Sequence, residues 1–532
     1  MDAKGGNRAS TAHAEIELKL TADPKALAAL RDAPAVIQRA RGRGVNKRLE
    51  SIYYDTPDYR LHKRNLAFRV RRAGGQFVQT LKDEGQGDGR LRRGEWESEV
   101  ASMAPDLAAL PAPEPREKVG LILPGELRPV FASQIQRTTR VLDACDADGG
   151  QSEIEIAFDD GVVKTATDAV PVAEVELELR SGSPAALYQL ALELHGIAPL
   201  RVETRSKSAR GYALARGGPP LWHKAEKLTL DPAATVDGAL SAIVRNCQEH
   251  WLANEAAALD GGDPEGVHQM RIALRRLRSA MSLFAKAIPP DQRSWLKTDS
   301  GWVAGNLGPA RDWDVFLGSV LQPLLQARPD DAALVALRRA AAAERAAGYL
   351  RAGEAIGSPR YTRFLLRLGA WLEGSGWRGD FHQAAWQHRP MVALADRLLR
   401  QRHRTVLRLA GDFAVAPIEQ RHRVRIALKK LRYASEFFRT LYPAKRVKPY
   451  LKSLAGLQDS IGYFNDVAVA ARLLADIVAR PAAAHGEDDR IAVAQAAGTV
   501  IGWHEHGIAT NEPQLVADWT EFAAARPFWH KT

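Results

Sequence analysis

Val267-His268-Gln269-Met270-Arg271-Ile272-Ala273-Leu274-Arg275-Arg276-Leu277-Arg278 returns 154 positions later as Arg421-His422-Arg423-Val424-Arg425-Ile426-Ala427-Leu428-Lys429-Lys430-Leu431-Arg432 (422 − 268 = 154). A second pair keeps the offset. Leu307-Gly308-Pro309-Ala310-Arg311-Asp312 matches Ile461-Gly462-Tyr463-Phe464-Asn465-Asp466 (466 − 312 = 154). Two motifs that hold one spacing mark a duplicated structural unit.

His268, Arg271, Arg275 and Arg278 stand at i, i+3, i+7 and i+10, which is one stripe of an α-helix. His422, Arg425, Lys429 and Lys430 or Arg432 repeat the stripe. Met270, Leu274 and Leu277, matched by Val424, Leu428 and Leu431, form an apolar stripe beside it. Each helix can pack on a core and still show a row of cations. Like charges one turn apart repel by a few tenths of a kcal/mol per pair. A helix that keeps such a row usually has an anion to offset it.

The totals agree with an anionic partner. The chain has 532 residues, enough for two or three domains, and carries a formal charge of +11 with a pI near 9.6. Nucleic acid, phosphorylated small molecules and polyphosphate all fit that charge. Cys145 and Cys247 are the only cysteines, which excludes a disulfide framework and a Cys-rich metal site. No apolar run reaches about 18 residues, so a membrane span is not expected, and the polar start of the chain makes the cytoplasm the expected compartment.

Upstream of the repeat the periodicity changes. Glu15-Ile16-Glu17-Leu18-Lys19-Leu20, Phe68-Arg69-Val70-Arg71, Gly94-Glu95-Trp96-Glu97-Ser98-Glu99-Val100, Glu153-Ile154-Glu155-Ile156 and Glu174-Val175-Glu176-Leu177-Glu178-Leu179 all alternate. Period 2 predicts strands with one charged and one apolar face. Helical stretches interrupt near Pro24 to Asp32 and Pro184 to His195. Ala215-Arg216-Gly217-Gly218-Pro219-Pro220 reads as linker. From about residue 232 the chain is helical in pattern. The expected class is α+β: strands in residues 13–214, a linker at 215–231, and an all-α duplicated bundle over 232–525.

Both signs of charge recur on the strand faces. A closed antiparallel barrel can turn such faces inward while helices cover the apolar outside. A lumen lined by carboxylates and guanidinium groups suits a polyphosphate with bound Mg²⁺ or Mn²⁺. Arg and Lys hold phosphate oxygens, and paired carboxylates hold the hard cation. No Gly-x-x-x-x-Gly-Lys-Ser/Thr loop, Ser-His-Asp set or Cys nucleophile offers a competing chemistry.

Glu15-Ile16-Glu17-Leu18-Lys19 resembles the ExExK signature of the CYTH superfamily, the triphosphate tunnel metalloenzymes. Further pieces match in order: Tyr53-Tyr54-Asp55-Thr56-Pro57, Phe68-Arg69-Val70-Arg71, Thr80-Leu81-Lys82, Arg93-Gly94-Glu95-Trp96-Glu97, Arg137, Asp159-Asp160-Gly161, Ala173-Glu174-Val175-Glu176, and Ser206-Lys207-Ser208-Ala209-Arg210-Gly211-Tyr212. The repeat resembles the CHAD domain, a duplicated helical unit. The whole is similar to bacterial CYTH–CHAD proteins, among which are inorganic triphosphatases.

The resemblance implies an eight-stranded β-tunnel in which Glu15, Glu17, Asp159, Glu174 and Glu176 bind metal. Lys19, Arg69, Arg71, Lys82, Arg93, Arg137 and Lys207 would grip the triphosphate. The expected catalytic set is Glu15, Glu17, Lys19, Arg69, Arg71 and Lys82. Glu178 shares the strand face of Glu174 and Glu176, so the choice between them rests on motif. For the helical half the resemblance implies binding of long-chain polyphosphate by His268, Arg271, Arg275, Arg278, His422, Arg425, Lys429 and Arg432. It adds polyphosphate granules as a place of association. Other readings stay open: a non-catalytic polyphosphate binder, hydrolysis of an organic triphosphate such as a nucleotide or thiamine triphosphate, or adenylate cyclisation. Nucleic acid ranks last, because no aromatic-rich stacking strand accompanies the charge.

Overall fold

The computed structural model describes residues 16–84, 94–111, 113–145, 149–378, 388–479 and 487–529. Glu15 and Arg93 of the expected site lie outside the described residues. Two compact units emerge: Met1–Pro220 with Gly357–Gly376, and Leu221–Ile356 with Trp377–Thr532.

In the first unit eight strands of five to eighteen residues form one antiparallel sheet. They are β1 (Glu17–Thr21), β2 (Val45–Asp55), β3 (Leu66–Ala73), β4 (Gln76–Asp83), β5 (Glu95–Val100), β6 (Arg128–Cys145), β7 (Gln151–Lys164) and β8 (Ala169–Ser181). A two-residue ninth, β9 (Arg201–Val202), extends β1. The order is β5-β4-β3-β2-β6-β7-β8-β1-β9. On a flat sheet β4 and β9 would stand seven strand spacings apart, roughly 33 Å. Yet Ser206 Oγ, just past β9, donates to Glu84 Oε1 at the end of β4 over 2.6 Å. A four-residue connection reaches only about 13 Å. The sheet therefore curls back on itself, as a tunnel requires.

The alternation in sequence decides which face goes where. Leu18, Leu20, Ile154, Ile156, Phe158, Val175 and Leu177 point outward and pack under the helices Pro24–Arg31 and Pro184–Ile197. The helix Pro359–Glu373 joins this cover, placing Leu366 in the same cluster and Pro359 O 2.9 Å from His195 Nε2. On the other flank Leu66, Phe68, Val70 and Leu81 pack under Leu61, Leu110 and Val119. Inside, Tyr53, Phe131, Ile135, Val163, Val172 and Tyr212 make an apolar plug, and the charged residues occupy the rest of the inner face.

The helix Lys207–Arg216 is held tightly against the sheet. Its N-cap is Ser206, whose side chain accepts from Ala209 N. A Cβ on Gly211 would stand 2.1 Å from the Phe131 ring, so only glycine permits this approach. Tyr212 Oη donates to buried Asp55 Oδ2 over 3.0 Å, and Asp55 also accepts from Thr56, Leu61 and His62 amides. His62 stacks on Tyr212, which makes it a packing residue.

The second unit is helical, and its elements repeat with the spacing of the sequence motifs. Val236–Leu252, Glu265–Leu283, Pro290–Asn306 and Ala332–Gly357 are followed by Met391–Ala410, Ile418–Phe438, Ala444–Val478 and Glu487–Ala524. The starts differ by 155, 153, 154 and 155 positions (391 − 236, 418 − 265, 444 − 290, 487 − 332). Four helices were thus duplicated together. Trp313, Phe316, Leu321 and Leu337 from one copy pack on Leu473, Leu474, Ile477 and Val500 from the other. No helix among the described residues is long and apolar enough to cross a membrane.

Candidate functional site

Adjacent inner rows of the curled sheet carry the acids. Asp159 on β7 pairs in register with Arg137 on β6 and Glu174 on β8, and Glu176 stands opposite Lys19 on β1. One oxygen from each of Asp159, Glu174 and Glu176 lies within 4.8 Å of the others, and all three residues are buried. Lys207 puts its ammonium among them, 2.8 Å from Asp159 Oδ2, 2.6 Å from Glu174 Oε2 and 2.7 Å from Glu176 Oε1. Arg137 reaches Asp159 through two donors at 2.6 and 2.5 Å and also bonds Glu176. Arg210 bonds Glu174. Glu17 pairs with Lys19 at 2.7 Å, and Lys19 lies 4.0 Å from Glu176. Across the lumen, Glu95 accepts Lys82 at 2.6 Å and Arg69 at 3.5 Å. Among the described residues, the one hydrogen bond of the Arg71 side chain is a 3.5 Å contact to Ser51 Oγ.

In the helical unit, Arg271, Arg275, Arg425 and Lys429 share one electrostatic neighbourhood with His268, Arg311, Asp312 and Asp466. Arg271 and Arg472 approach Asp312 at 3.9 and 3.6 Å. Arg69 Nε, Arg275 Nε and Arg425 Nε are buried donors without a hydrogen-bond partner among the described residues.

Residues 13–212 match the CYTH domain family and residues 242–475 the CHAD domain family. The chain carries a CYTH domain and a CHAD domain. Over 203 residues it is 30% identical to an inorganic triphosphatase of Haemophilus influenzae, covering 38% of this chain and 54% of that protein. The chain thus spans about half the length of that relative. It is 24% identical over 476 residues to an uncharacterised Mycobacterium tuberculosis protein, covering 84% of this chain and 87% of that one. The solved CHAD domain from the plant Ricinus communis is 34% identical, covers 57% of this chain and 98% of its own, and superposes with a TM-score of 0.49.

Within the CYTH domain the electrostatics separate the two walls. Burial pushes the Glu176 carboxyl up, but Lys207, Arg137 and Lys19 outweigh it and hold the group well below the usual carboxylate range. Lys207 is held above the ordinary lysine value: burial opposes its charge, and Glu176, Asp159 and Glu174 overcome that. Arg71 is the opposite case. Burial, with Arg69 and Arg137 nearby, pushes its guanidinium down to about 10. It remains charged at neutral pH, with Glu97 only partly offsetting these effects and no ion pair within 4.0 Å among the described residues.

The structure distinguishes the three glutamates of β8 that the motif alone could not. Glu174 has a fully buried side chain, whereas that of Glu178 is 28% exposed and pairs with Arg180 at 3.3 Å. Arg210 was missed as a site residue. Its signal was present, since it stands one helical turn from Lys207 inside a motif already noted.

The CHAD domain divides its expected set. His268 joins the cation cluster, but burial and then Arg311, Arg275 and Arg271 push its imidazole down to about 3. Its imidazole is therefore neutral near pH 7. Arg278 is exposed and lies near Lys430. Arg432 is engaged by Glu436 at 2.8 Å and Gln458 at 3.0 Å. His422 is exposed and has no partner among the described residues. Arg311 and Arg472 belong to the cluster and were not foreseen. Arg311 sits in the second repeated motif, while Arg472 corresponds to Gly318 in the other copy and has no signal in the repeat (472 − 154 = 318).

Proposed function

We propose that the CYTH domain hydrolyses inorganic triphosphate with Mg²⁺ or Mn²⁺ bound, and that the CHAD domain binds long-chain polyphosphate. The observation that carries the first part is the convergence of Asp159, Glu174 and Glu176 opposite Arg69, Arg71 and Lys82. Three buried carboxylate oxygens within 4.8 Å form a hard-donor set that fits a small divalent cation. The Lys207 ammonium among them marks the point where positive charge is stabilised. Asp159, Glu174 and Glu176 would hold the ion, joined by Glu15 and Glu17. Bound there, it supplies charge neutralisation on the phosphate oxygens.

The chain's own part is positioning. Lys19, Arg69, Arg71, Lys82 and Arg137 fix the phosphate chain by charge-assisted hydrogen bonds, which strengthen as negative charge shifts during transfer. A water attacks the terminal phosphorus, the bond to the bridging oxygen breaks, and pyrophosphate and phosphate leave. A lumen carboxylate orients that water and accepts its proton.

Phosphate release from triphosphate is expected with Mg²⁺ or Mn²⁺ and is expected to vanish in excess EDTA. ATP, thiamine triphosphate and pyrophosphate measured in parallel define the substrate. Undiminished release in EDTA would sink the metal assignment, and faster release from ATP would move the substrate to nucleotides.

Lys207 and a divalent ion compete for the same three carboxylates. Lys207→Met is expected to bind Mn²⁺ about tenfold more tightly without substrate, because one competing charge is gone. Triphosphate turnover falls in the same variant. Titration of free Mn²⁺ by electron paramagnetic resonance checks the first effect, and weaker Mn²⁺ binding in the variant would refute it.

A further inference from the structure

The CHAD domain has a second cationic surface, and Lys430, which the repeat offered as an alternative to Arg432 in the stripe, belongs to it. The helices Met391–Ala410 and Ile418–Phe438 are joined by a short connection, and a cavity of about 230 Å³ opens between them. Arg402, Thr405 and Leu409 line one side at i, i+3 and i+7. Arg423, Ile426, Ala427 and Lys430 line the other. Lys430 and Arg423 lie on the far side of their helix from Arg425 and Lys429, by the 100° advance per residue.

The two ends of the cavity differ. Gln420 Nε2 bonds Leu409 O and Ala410 O at 3.1 and 2.9 Å, which puts Arg423 toward the Leu409 end. At the other end Arg402 and exposed Arg278 lie close enough to Lys430 to repel its charge. Arg402 donates to Ser282 Oγ over 2.9 Å. Among the described residues, no carboxylate pairs with Arg278, Arg402, Arg423 or Lys430. Burial and then Arg402 and Arg278 push the Lys430 ammonium down, so an anion would relieve this end. The wall between the ends is apolar: Leu409, Ile426 and Ala427, with Ile426 left 41% exposed.

We propose that this cavity is a second anion site of the CHAD domain, taking a small organic phosphate. Its phosphate group sits at Arg402 and Lys430, and its apolar body lies on Leu409, Ile426 and Ala427. A bare phosphate chain would leave that wall unused, which separates this ligand class from linear polyphosphate. The volume is below the range of about 300–1,000 Å³ usual for drug-sized ligands, so the body is about one ring in size.

Phenyl phosphate is the probe, titrated calorimetrically into the full chain in EDTA, with inorganic phosphate as control. One molecule per chain is expected to bind at least about tenfold more tightly than inorganic phosphate, and R402A/K430A is expected to lose about tenfold or more in affinity. Phosphate release from triphosphate and the melting temperature stay unchanged in that variant. Ile426→Asp, which sets a carboxylate on the apolar wall, is expected to weaken the probe to a similar degree. Three outcomes overturn the proposal: no saturable binding of phenyl phosphate, equal binding by R402A/K430A, or equal affinity for phenyl and inorganic phosphate. Probe held in the tunnel survives both substitutions, so only binding they remove counts in favour.

Discussion

Glu174→Gln and Glu176→Gln are expected to lower phosphate release from triphosphate by roughly 10²–10³-fold or more, the usual loss when one preorganised electrostatic group is removed. Each change keeps the volume and deletes one charge from a buried cluster. Glu174 is completely buried and answers Lys207 and Arg210, while Glu176 answers Lys207 and Arg137. Removing one partner of a buried pair also costs stability, about 3–5 kcal/mol, so rates must be normalised to folded protein by thermal melting. Two controls separate chemistry from charge in general. Glu178→Gln changes the half-buried neighbour on the same strand face, and Asp160→Asn changes the exposed residue beside Asp159. Both are expected to keep near wild-type rates. A loss in Glu178→Gln that equals the loss in Glu176→Gln would show that the acidic set has been assigned to the wrong residues.

The separation of Asp159 from Asp160 shows why the strand reading worked. In a strand, neighbours point to opposite faces, so one residue of register exchanges inside for outside. The alternation around Glu17, Arg69, Glu95, Glu155 and Glu176 was therefore legible directly. Two other strands, β6 and β2, were not. β6 contains Gln134-Ile135-Gln136-Arg137-Thr138-Thr139-Arg140, where polar residues fall on both faces and period 2 fades. β2 begins Val45-Asn46-Lys47-Arg48, four exposed residues with no apolar face to read. Tertiary pairing with each other and with β3 and β7 makes these segments strands. The curl was also beyond local pattern, because it depends on residues as distant as Glu84 and Ser206.

The site followed the same division. Cations in alternating strands could be picked out, but their partners could not. That Arg71 makes no ion pair among the described residues while Arg137 makes two depends on which strands are neighbours. In the helical half the repeat predicted equal stripes, and the fold broke the symmetry. His268 is half-buried among cations, whereas its counterpart His422 is exposed. Duplication copies the helix, but the surroundings of each copy are set by what packs on it.

Replacing Arg271, Arg275 and Lys429 together with Ala is expected to weaken long-chain polyphosphate binding by roughly 10²–10³-fold at low salt and to flatten its salt dependence. Each cation on a linear polyanion releases about one counterion, so three lost contacts reduce the slope of log affinity against log salt by about two to three. Arg432→Ala is expected to do less, since Glu436 and Gln458 already engage that guanidinium. Acidity gives an independent check. Burial, followed by Arg275 and Arg425, pushes the Lys429 ammonium down to about 7. Its protonated fraction rises as pH falls through that value, and only the protonated form attracts phosphate. Affinity should therefore increase between pH 8 and pH 6, and binding at pH 8 should take up protons, because the anion restores the lysine's charge. His268 is not expected to add to this dependence, since burial and the neighbouring arginines push its imidazole down to about 3. Lys429→Met should remove the pH dependence and keep the fold. Calorimetry in buffers of different ionisation heat measures the proton uptake. Binding that is flat with pH in the wild-type chain, or a triple variant that unfolds but binds normally per folded molecule, would make the cluster a structural feature and not a polyphosphate site.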